Sequence, residues 1–359
     1  MSSHPAMTTS LSQDLDHVLQ HTEELWADLR GERMFITGGT GFVGSWLLES
    51  LLWANRRLGL DVRCTVLTRD PEAFERRQPH LAYDRAVTLL PGYATDFDFP
   101  NGTFPFLVHA ATERYFPADP NRPYSTFVAD LDATSRVLEL ASRCGARRLL
   151  FTSSGAVYGK QPAAMSHIPE DYAGAPAAND IQSAYGQAKR ASEFLCCSAA
   201  HARRFEVAIA RLFAFVGPYL PLNANYAVGN FLRDVLTGEP VKIAGDGTPY
   251  RSYLYAADLA IWLWTMLLRA PSGVPFNVGS PHEITIAELA DGVVETTSPE
   301  TEIQIAGTPI PGAPAARYVP DTTRAEQQLG LRSWISLEEG IRRTYDWHAR
   351  QRMPEAAVA

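Results

Sequence analysis

The stretch from Met34 to Arg57 restricts the fold more than any other part of this sequence. The short apolar run MFIT (Met34–Thr37) leads into the cluster TGGTGFVG, and the helical pattern SWLLESLLWANRR follows at once. A buried strand must therefore turn into a helix within a few residues. Gly38, Gly41 and Gly44 occupy that turn at a G-x-x-G-x-x-G spacing. Glycine permits the tight bend, lets helix and strand pack closely, and lets backbone N–H groups, those of Phe42 and Val43 among them, approach a pyrophosphate. The start of the helix adds positive partial charge. A glycine cluster alone can be a plain turn; the strand before it and the helix after it favour a dinucleotide-binding turn.

The same alternation continues along the chain. VRCTVLT (ending at Thr68), FPFLVHAAT (Phe104–Thr112), RRLLFTSS (Arg147–Ser154) and FEVAIARLF (Phe205–Phe213) read as strands. RPYSTFVADLDATSRVLELASRCG and SAYGQAKRASEFLCCSAAHARR read as helices between them, the first ended by Gly145. Apolar strands alternating with helices predict an α/β fold, a doubly wound parallel sheet covered on both faces. Upstream, residues 1 to about 12 read as disordered. Residues 13–30 read as one amphipathic helix on Leu15, Val18, Leu19, Leu25, Trp26 and Leu29. After Gly217-Pro218 the alternation weakens and the chain grows richer in Pro and Gly. We divide it into an N-terminal extension (1–30), a mainly dinucleotide-binding domain (31–217) and a smaller, interleaved C-terminal substrate lobe (218–350).

Composition narrows the function classes. The 359 residues are 46% hydrophobic and 20% charged, with a net charge of -8 and no basic block, which argues against a nucleic-acid partner. The four cysteines, Cys64, Cys144, Cys196 and Cys197, form neither a disulfide framework nor a zinc pattern, so no metal is expected and a cytoplasmic setting is the simplest reading. The first twenty residues lack the basic and apolar regions of a signal peptide, and the longest apolar run, Leu259–Leu268, is too short to span a bilayer.

The end of the second strand selects the cofactor. Dinucleotide binders specific for NAD place an acid there for the ribose 2′-hydroxyl. Here the order is Thr68-Arg69-Asp70: Arg69 suits a 2′-phosphate and Asp70 is within reach of the ribose, so the reading is NAD or NADP. Further on, Tyr185 and Lys189 lie four apart in SAYGQAKRASE, on one helix face. An ammonium next to a phenol favours the phenolate and makes tyrosine a usable base, and Lys189 can also bind the cofactor by holding its ribose hydroxyls. Ser154, at a strand exit, offers a hydroxyl to the reacting oxygen of a substrate, and ligands of doubly wound sheets bind outside the carboxyl ends of the strands.

Taken in order, TGGTGFVG, HAA (His109–Ala111), TSSGAVYG, YGQAK, Gly217-Pro218 and the R-x-x-x-Y-x-x-D of Arg251, Tyr255 and Asp258 resemble the extended short-chain dehydrogenases/reductases, the nucleotide-sugar epimerase/dehydratase group, over roughly residues 33–345. The resemblance implies a Rossmann-type fold and a nucleotide-sugar substrate. It makes Tyr185 the general base or acid, Lys189 its partner, and Ser154 the group that hydrogen-bonds the substrate oxygen. Ala110 and Ala111 would border the cofactor, Asn230 and Arg251 would contact the substrate diphosphate, and Tyr158 would support the site or the sugar. A homodimer through the helices near 124–144 and 185–201 is also implied.

The family's shared first step is oxidation of a sugar hydroxyl to a 4-keto sugar, which is then reduced, dehydrated or decarboxylated. Its 4,6-dehydratases carry an Asp-Glu pair directly after the catalytic Ser/Thr, and its decarboxylases a Glu at the second of these positions. Here the two are Gly155 and Ala156, which move no proton. The expectation is an epimerase or a 4-ketoreductase. The alternatives are a 4,6-dehydratase that recruits another acid, such as Glu113 or Glu170, a reductase of a small apolar ketone, and a non-catalytic NAD(P) sensor; the last is opposed by the intact Ser154, Tyr185 and Lys189. Other departures from the family are Tyr93 after Gly92, with Asp96 further on, Asp130 for the usual Asn, and Ala214 where a second Asn is expected.

Overall fold

The computed structural model describes residues 11–112, 122–203, 205–224 and 226–352. The chain opens with α1 (Ser12–Thr22), a 3-10 stretch (Glu23–Leu29), β1 (Arg33–Thr37), α2 (Phe42–Leu58) and β2 (Arg63–Thr68). The short α3 (Pro71–Arg77) and α4 (Pro79–Ala82) precede β3 (Val87–Pro91) and β4 (Phe106–His109). Then come α5 (Pro123–Arg143), β5 (Arg148–Ser154), α6 (Ala184–Arg203) and β6 (Glu206–Leu212). Smaller elements follow: β7 (Phe215–Val216), α7 (Ala227–Thr237), β8 (Val241–Ile243), β9 (Tyr250–Arg251), β10 (Leu254–Tyr255) and α8 (Ala256–Arg269). The last part holds β11 (Pro275–Val278), β12 (Ile284–Thr285), α9 (Ile286–Thr297), β13 (Ile303–Ile305), β14 (Arg317–Tyr318), α10 (Thr323–Leu329) and α11 (Leu337–Arg352).

Seven strands form one parallel sheet in the order β11-β6-β5-β4-β1-β2-β3. This is a doubly wound, Rossmann-type α/β fold. The order reverses between β1 and β4, where Thr37 stands beside His109. Crossovers leave that point in opposite directions, and the carboxyl ends of the strands open a crevice there. The strands are apolar because both faces are covered: Met34, Ile36 and Val66 belong to one core with α2 and α8, while Phe35, Leu107, Leu149 and Phe151 belong to a second with α5 and α6.

Two strands of this large sheet escape the sequence reading. β3 is an edge strand with one face half-exposed and a proline at its end, so it lacks the continuous apolar run of its neighbours. β11 is four residues long and carries the fully buried Asn277. It lies beyond residue 218 yet pairs with β6, so the chain returns to the large sheet after building small sheets elsewhere. Those small sheets are β10-β7, β12-β9-β14 and β13-β8.

The single helix expected over 13–30 is also corrected. The α-helix stops at Thr22, whose hydroxyl donates to Val18 O and accepts from Trp26 Nε1 at 2.9 Å. The tighter winding that follows has three residues per turn, which puts Trp26 and Leu29 on one buried face. Trp26 packs against Trp264 of α8 with ring centroids 5.0 Å apart. Residues 1–10 lie outside the described residues. Among the described residues no helix is long and apolar enough to cross a membrane. Trp26→Ala is expected to destabilise the protein by roughly 3–5 kcal/mol through the cavity it leaves; urea denaturation followed by far-UV circular dichroism measures it.

Candidate active site

A cleft of about 830 Å³ runs from the ends of β1 and β2 to the small β9 and β14. At its deep end the glycine turn is held by contacts no side chain could survive. Gly38 has φ +71°, and a Cβ there would lie 2.5 Å from the Ala110 carbonyl and Ala111 N. Gly44 serves packing alone: its Cβ would sit 2.2 Å from Gly38 O, and it stands behind the cleft wall. Gly41, Phe42 and Val43 form the lining, as do Ala110 and Ala111. Helix α2 starts at Gly41 with no side-chain cap and no acid in its first turn, so its positive end is left for an anion. This cradle fits the pyrophosphate of a dinucleotide.

At the ribose end, Thr68 and Arg69 line the cleft, and Arg77 joins them by donating from Nη2 to Thr40 O at 2.8 Å. Arg77 was not singled out from the sequence; a cation six residues into the following helix turn gives no local motif. Asp70 is engaged otherwise, its Oδ1 capping α3 through Ala73 N at 2.9 Å. Gly92 and Ala94 make the next wall, while Asp96 is exposed and outside it.

The centre of the cleft brings Ser154, Tyr185 and Lys189 together. Ser154 ends β5, where its Oγ accepts from Ala156 N at 3.2 Å. Gly186 explains how α6 reaches it: a Cβ at that position would lie 2.5 Å from Ala156 O, so only glycine lets Tyr185 come this near the strand exit. Lys189 is buried, with Nζ 5.8 Å from the Tyr185 ring centroid and 5.1 Å from that of Phe151. His109 lies beneath, bonded through Nδ1 to Thr37 Oγ1 at 2.8 Å. Burial and then the Lys189 charge push its imidazole down to about 3, so it stays neutral and leaves Lys189 as the cation at this point.

A buried network not seen in the sequence supports this trio. Arg211 grips Glu193 with two hydrogen bonds, Nε to Oε1 at 2.9 Å and Nη2 to Oε2 at 2.7 Å. Glu193 Oε1 also accepts from Ser153 Oγ at 2.5 Å. Tyr158 belongs to the same network. It is buried, donates to Asn277 Oδ1 at 2.7 Å and accepts from Arg211 Nη1 at 2.8 Å, and burial raises its phenol to about 12. Of its two expected roles the structure favours support, because Tyr158 is not part of the cleft lining.

Arg251 lines the outer end of the cleft beside Tyr226, Tyr253 and Tyr318. Asn230 does not: with its NH₂ turned towards them, its amide donates to Leu222 O and Ala224 O, so it shapes the loop that carries Leu220 and Pro221 into the wall. Ala214 does line the cleft, and Asp130 is buried, taking the Thr112 hydroxyl at 3.3 Å. Glu170 is not available as a replacement acid. Its carboxylate accepts from Asn277 N at 2.9 Å and faces Arg324, away from the cleft, and burial raises it. Glu113 lies outside the described residues. Among the described residues that line the cleft none is acidic, whereas Arg69, Arg77, Lys189 and Arg251 are cationic. A protein of net charge -8 thus concentrates positive potential where an anionic ligand enters.

Residues 34–279 match the model of the NAD dependent epimerase/dehydratase family. The chain belongs to that family. It is 30% identical over 315 residues to UDP-glucuronic acid decarboxylase 5 of Arabidopsis thaliana, covering 86% of this chain and 87% of the relative. It superposes with a TM-score of 0.73 on UDP-glucose 4-epimerase of Thermus thermophilus, solved in complex with NAD, at 26% identity and with 89% and 100% of the two chains covered. A TM-score of 0.77 relates its fold to UDP-N-acetylglucosamine 4-epimerase of Methanobrevibacter ruminantium, at 19% identity over 90% and 99% of the chains.

Family membership makes this an NAD(P)-dependent enzyme of the extended short-chain dehydrogenase type, and it gives the R-x-x-x-Y-x-x-D motif a second meaning here. Tyr255 donates to Asp14 Oδ2 at 2.6 Å, and Asp258 meets His17 Nε2 at 2.9 Å while accepting from Trp334 N and Ile335 N. The motif's Tyr and Asp therefore clamp α1 and the start of the C-terminal segment, and Arg251 alone reaches the cleft. For His109 the pH dependence has a definite sign. The unfolded imidazole binds a proton at 6.5 and the folded one at about 3. Between these values the unfolded chain holds more protons, so this stability is complete above pH 6.5 and is lost on acidification, by up to about 1.4 kcal/mol per pH unit. His109→Gln is expected to show a shallower loss between pH 7 and 5 in urea denaturation, with His348, held down to about 4 by burial, still contributing.

Proposed function

We propose that this protein oxidises or reduces C4 of a nucleotide sugar, as an epimerase or a 4-ketoreductase, without dehydration or decarboxylation. The observation that carries this reading is a cleft with Ser154, Tyr185 and Lys189 at its centre and no acid among its described lining residues. Bound dinucleotide supplies the hydride acceptor and donor. Tyr185 Oη takes the proton of the sugar hydroxyl, or returns one to the ketone oxygen. Ser154 Oγ holds that oxygen, and the Lys189 ammonium stabilises the phenolate as its charge develops. Arg251 suits the substrate diphosphate, because a guanidinium binds phosphate through two parallel hydrogen bonds. Removal of a C5 proton or retention of a carboxylate by an acid in the turn after Ser154 has no group to perform it, since Gly155 and Ala156 stand there. The plant decarboxylase relative argues for a test with UDP-glucuronate, from which no carbon dioxide release is expected. Arg251 at the outer end of the cleft, and the diphosphate chemistry it suits, oppose a small apolar ketone as substrate.

Two refinements belong to the same proposal. The assembly is a homodimer through α5 and α6, whose outer faces expose Tyr124 and Phe194. We propose NADP as the cofactor, because Arg69 and Arg77 line the cleft at the end of β2 and Asp70 is occupied as a helix cap. Arg69→Ala is expected to weaken NADPH binding about tenfold or more with little effect on NADH, as measured by fluorescence titration. Tyr185→Phe should fold, bind cofactor and lose roughly two to four orders of magnitude in turnover. Mass spectrometry of products from UDP-, dTDP-, CDP- and GDP-sugars separates the two reactions. Product with no net change in cofactor marks an epimerase and stoichiometric oxidation a reductase. A Tyr185→Phe enzyme with wild-type turnover would refute the assignment.

A further inference from the structure

The loop at 217–222 is fastened from behind at points that the proposed reaction leaves unexplained. Leu220 and Pro221 line the cleft, and Tyr226 and Ala227, where α7 begins, also belong to the lining. Tyr219 does not line the cleft. Its hydroxyl donates to Oε1 of Glu49, a carboxylate buried on α2. His80 Nε2 meets the same oxygen at 2.7 Å. The Tyr219 ring packs edge-on to Trp347 of α11 with centroids 4.8 Å apart, and Trp46 Nε1 of α2 donates to Pro218 O at 2.9 Å. Burial, and then the Glu49 charge, hold the Tyr219 phenol far above its ordinary range, so the hydroxyl keeps the proton it donates.

The backbone at this point is strained. Tyr219 has φ +71°, where its Cβ crowds the following carbonyl, and an aromatic residue stays there only where its neighbours hold it. Among the described residues Asp61 is the other non-glycine case, and it is exposed between α2 and β2, outside the cleft lining. The loop in turn carries α7. A Cβ on Gly229 would lie 2.9 Å from Pro221 O, so the helix rests directly on the loop backbone, and the Asn230 amide ties Leu222 O and Ala224 O to it. A shift at Tyr219 therefore moves Leu220, Pro221 and the start of α7 together. Resting on the nucleotide-sugar reading of the cleft, we propose that Tyr219 and Glu49 are positioning residues for the substrate: their hydrogen bond makes α2 hold the wall of Leu220, Pro221 and Tyr226 in place. Neither residue lines the cleft. Helix α2 is a suitable anchor, because Phe42 and Val43 of its first turn line the dinucleotide end and Glu49 lies about two turns further along. A carboxylate takes a hydroxyl proton more strongly than a neutral oxygen does, and cutting that bond frees the strained backbone and the wall with it.

The test uses the full-length protein, loaded with whichever of NAD and NADP it binds more tightly, and the variants Tyr219→Phe, Glu49→Ala and Glu49→Gln. Hydrogen exchange followed by mass spectrometry reads the wall directly. Amides at 217–224 are expected to exchange at least about tenfold faster in Tyr219→Phe and Glu49→Ala, while those of β4 and β5 keep their wild-type rates. Steady-state kinetics with the UDP-, dTDP-, CDP- or GDP-sugar that the wild type turns over should show KM raised about tenfold, with kcat and cofactor affinity within about twofold. The double variant should be no worse than Glu49→Ala, because both changes cut one bond, and Glu49→Gln, which keeps an acceptor oxygen, should recover most of the loss. Wild-type exchange in Tyr219→Phe would overturn the inference. So would faster exchange with an unchanged KM, or equal acceleration throughout the fold, which marks general destabilisation. If the wild type turns over no nucleotide sugar, the proposed function fails, and exchange at 217–224 still decides whether Tyr219 and Glu49 hold the wall.

Discussion

The bidentate pairing of Arg211 with Glu193 is the interaction on which the reactive centre depends. Arg211 lies on β6 and Glu193 on α6, one helical turn beyond Lys189 and two beyond Tyr185. Ser153, adjacent to Ser154 on β5, donates to the same carboxylate. One buried ion pair therefore fixes the spacing of the helix that carries the base and the strand that carries the hydroxyl. The charges are well satisfied: Tyr158 and the Glu170 carbonyl take further N–H groups of Arg211. Removing either partner would leave an uncompensated buried charge, which is far more costly than the net worth of the pair. The glycines at 38, 44 and 186 act at the next level, by allowing backbones to approach where this framework places them.

Much of this was legible in the sequence because it rests on local patterns. The strand–turn–helix from Met34, the alternation that follows, and the pairing of Tyr185 with Lys189 each declare themselves within a dozen residues. What was not legible rests on contacts between distant residues. Arg77 enters the cleft because α3 folds back over Thr40, and Asp70 leaves it because that helix needs a cap. Asn230 looks like a diphosphate ligand in its motif, yet its amide is used by the loop at 222–224. The strand β11 was obscured by the buried Asn277, whose polarity is matched by Tyr158, Ile168 O and Asp321 O. For Asp70 and Asn230 a polar group that seemed available to a ligand is engaged by the protein itself.

The chain shares its fold with enzymes whose names span epimerisation, dehydration and decarboxylation. In this chain the turn after Ser154 carries Gly155 and Ala156, with Phe213 and Tyr318 packed against Gly155. A shared fold does not choose among these reactions; the side chains at the site do.

The clasp formed by α1 has a consequence for how the molecule is assembled. Asp14 and His17 meet Tyr255 and Asp258, partners 241 residues away along the chain. During synthesis the first helix emerges long before its binding surface on α8 exists, and it must wait, with Leu15 and Trp26 uncovered, until most of the polypeptide has left the ribosome. Contacts of such span close slowly. The nucleotide half of the cleft can take shape early, whereas the strand bearing Arg251 finds its partners only once β12 and β14 have been made.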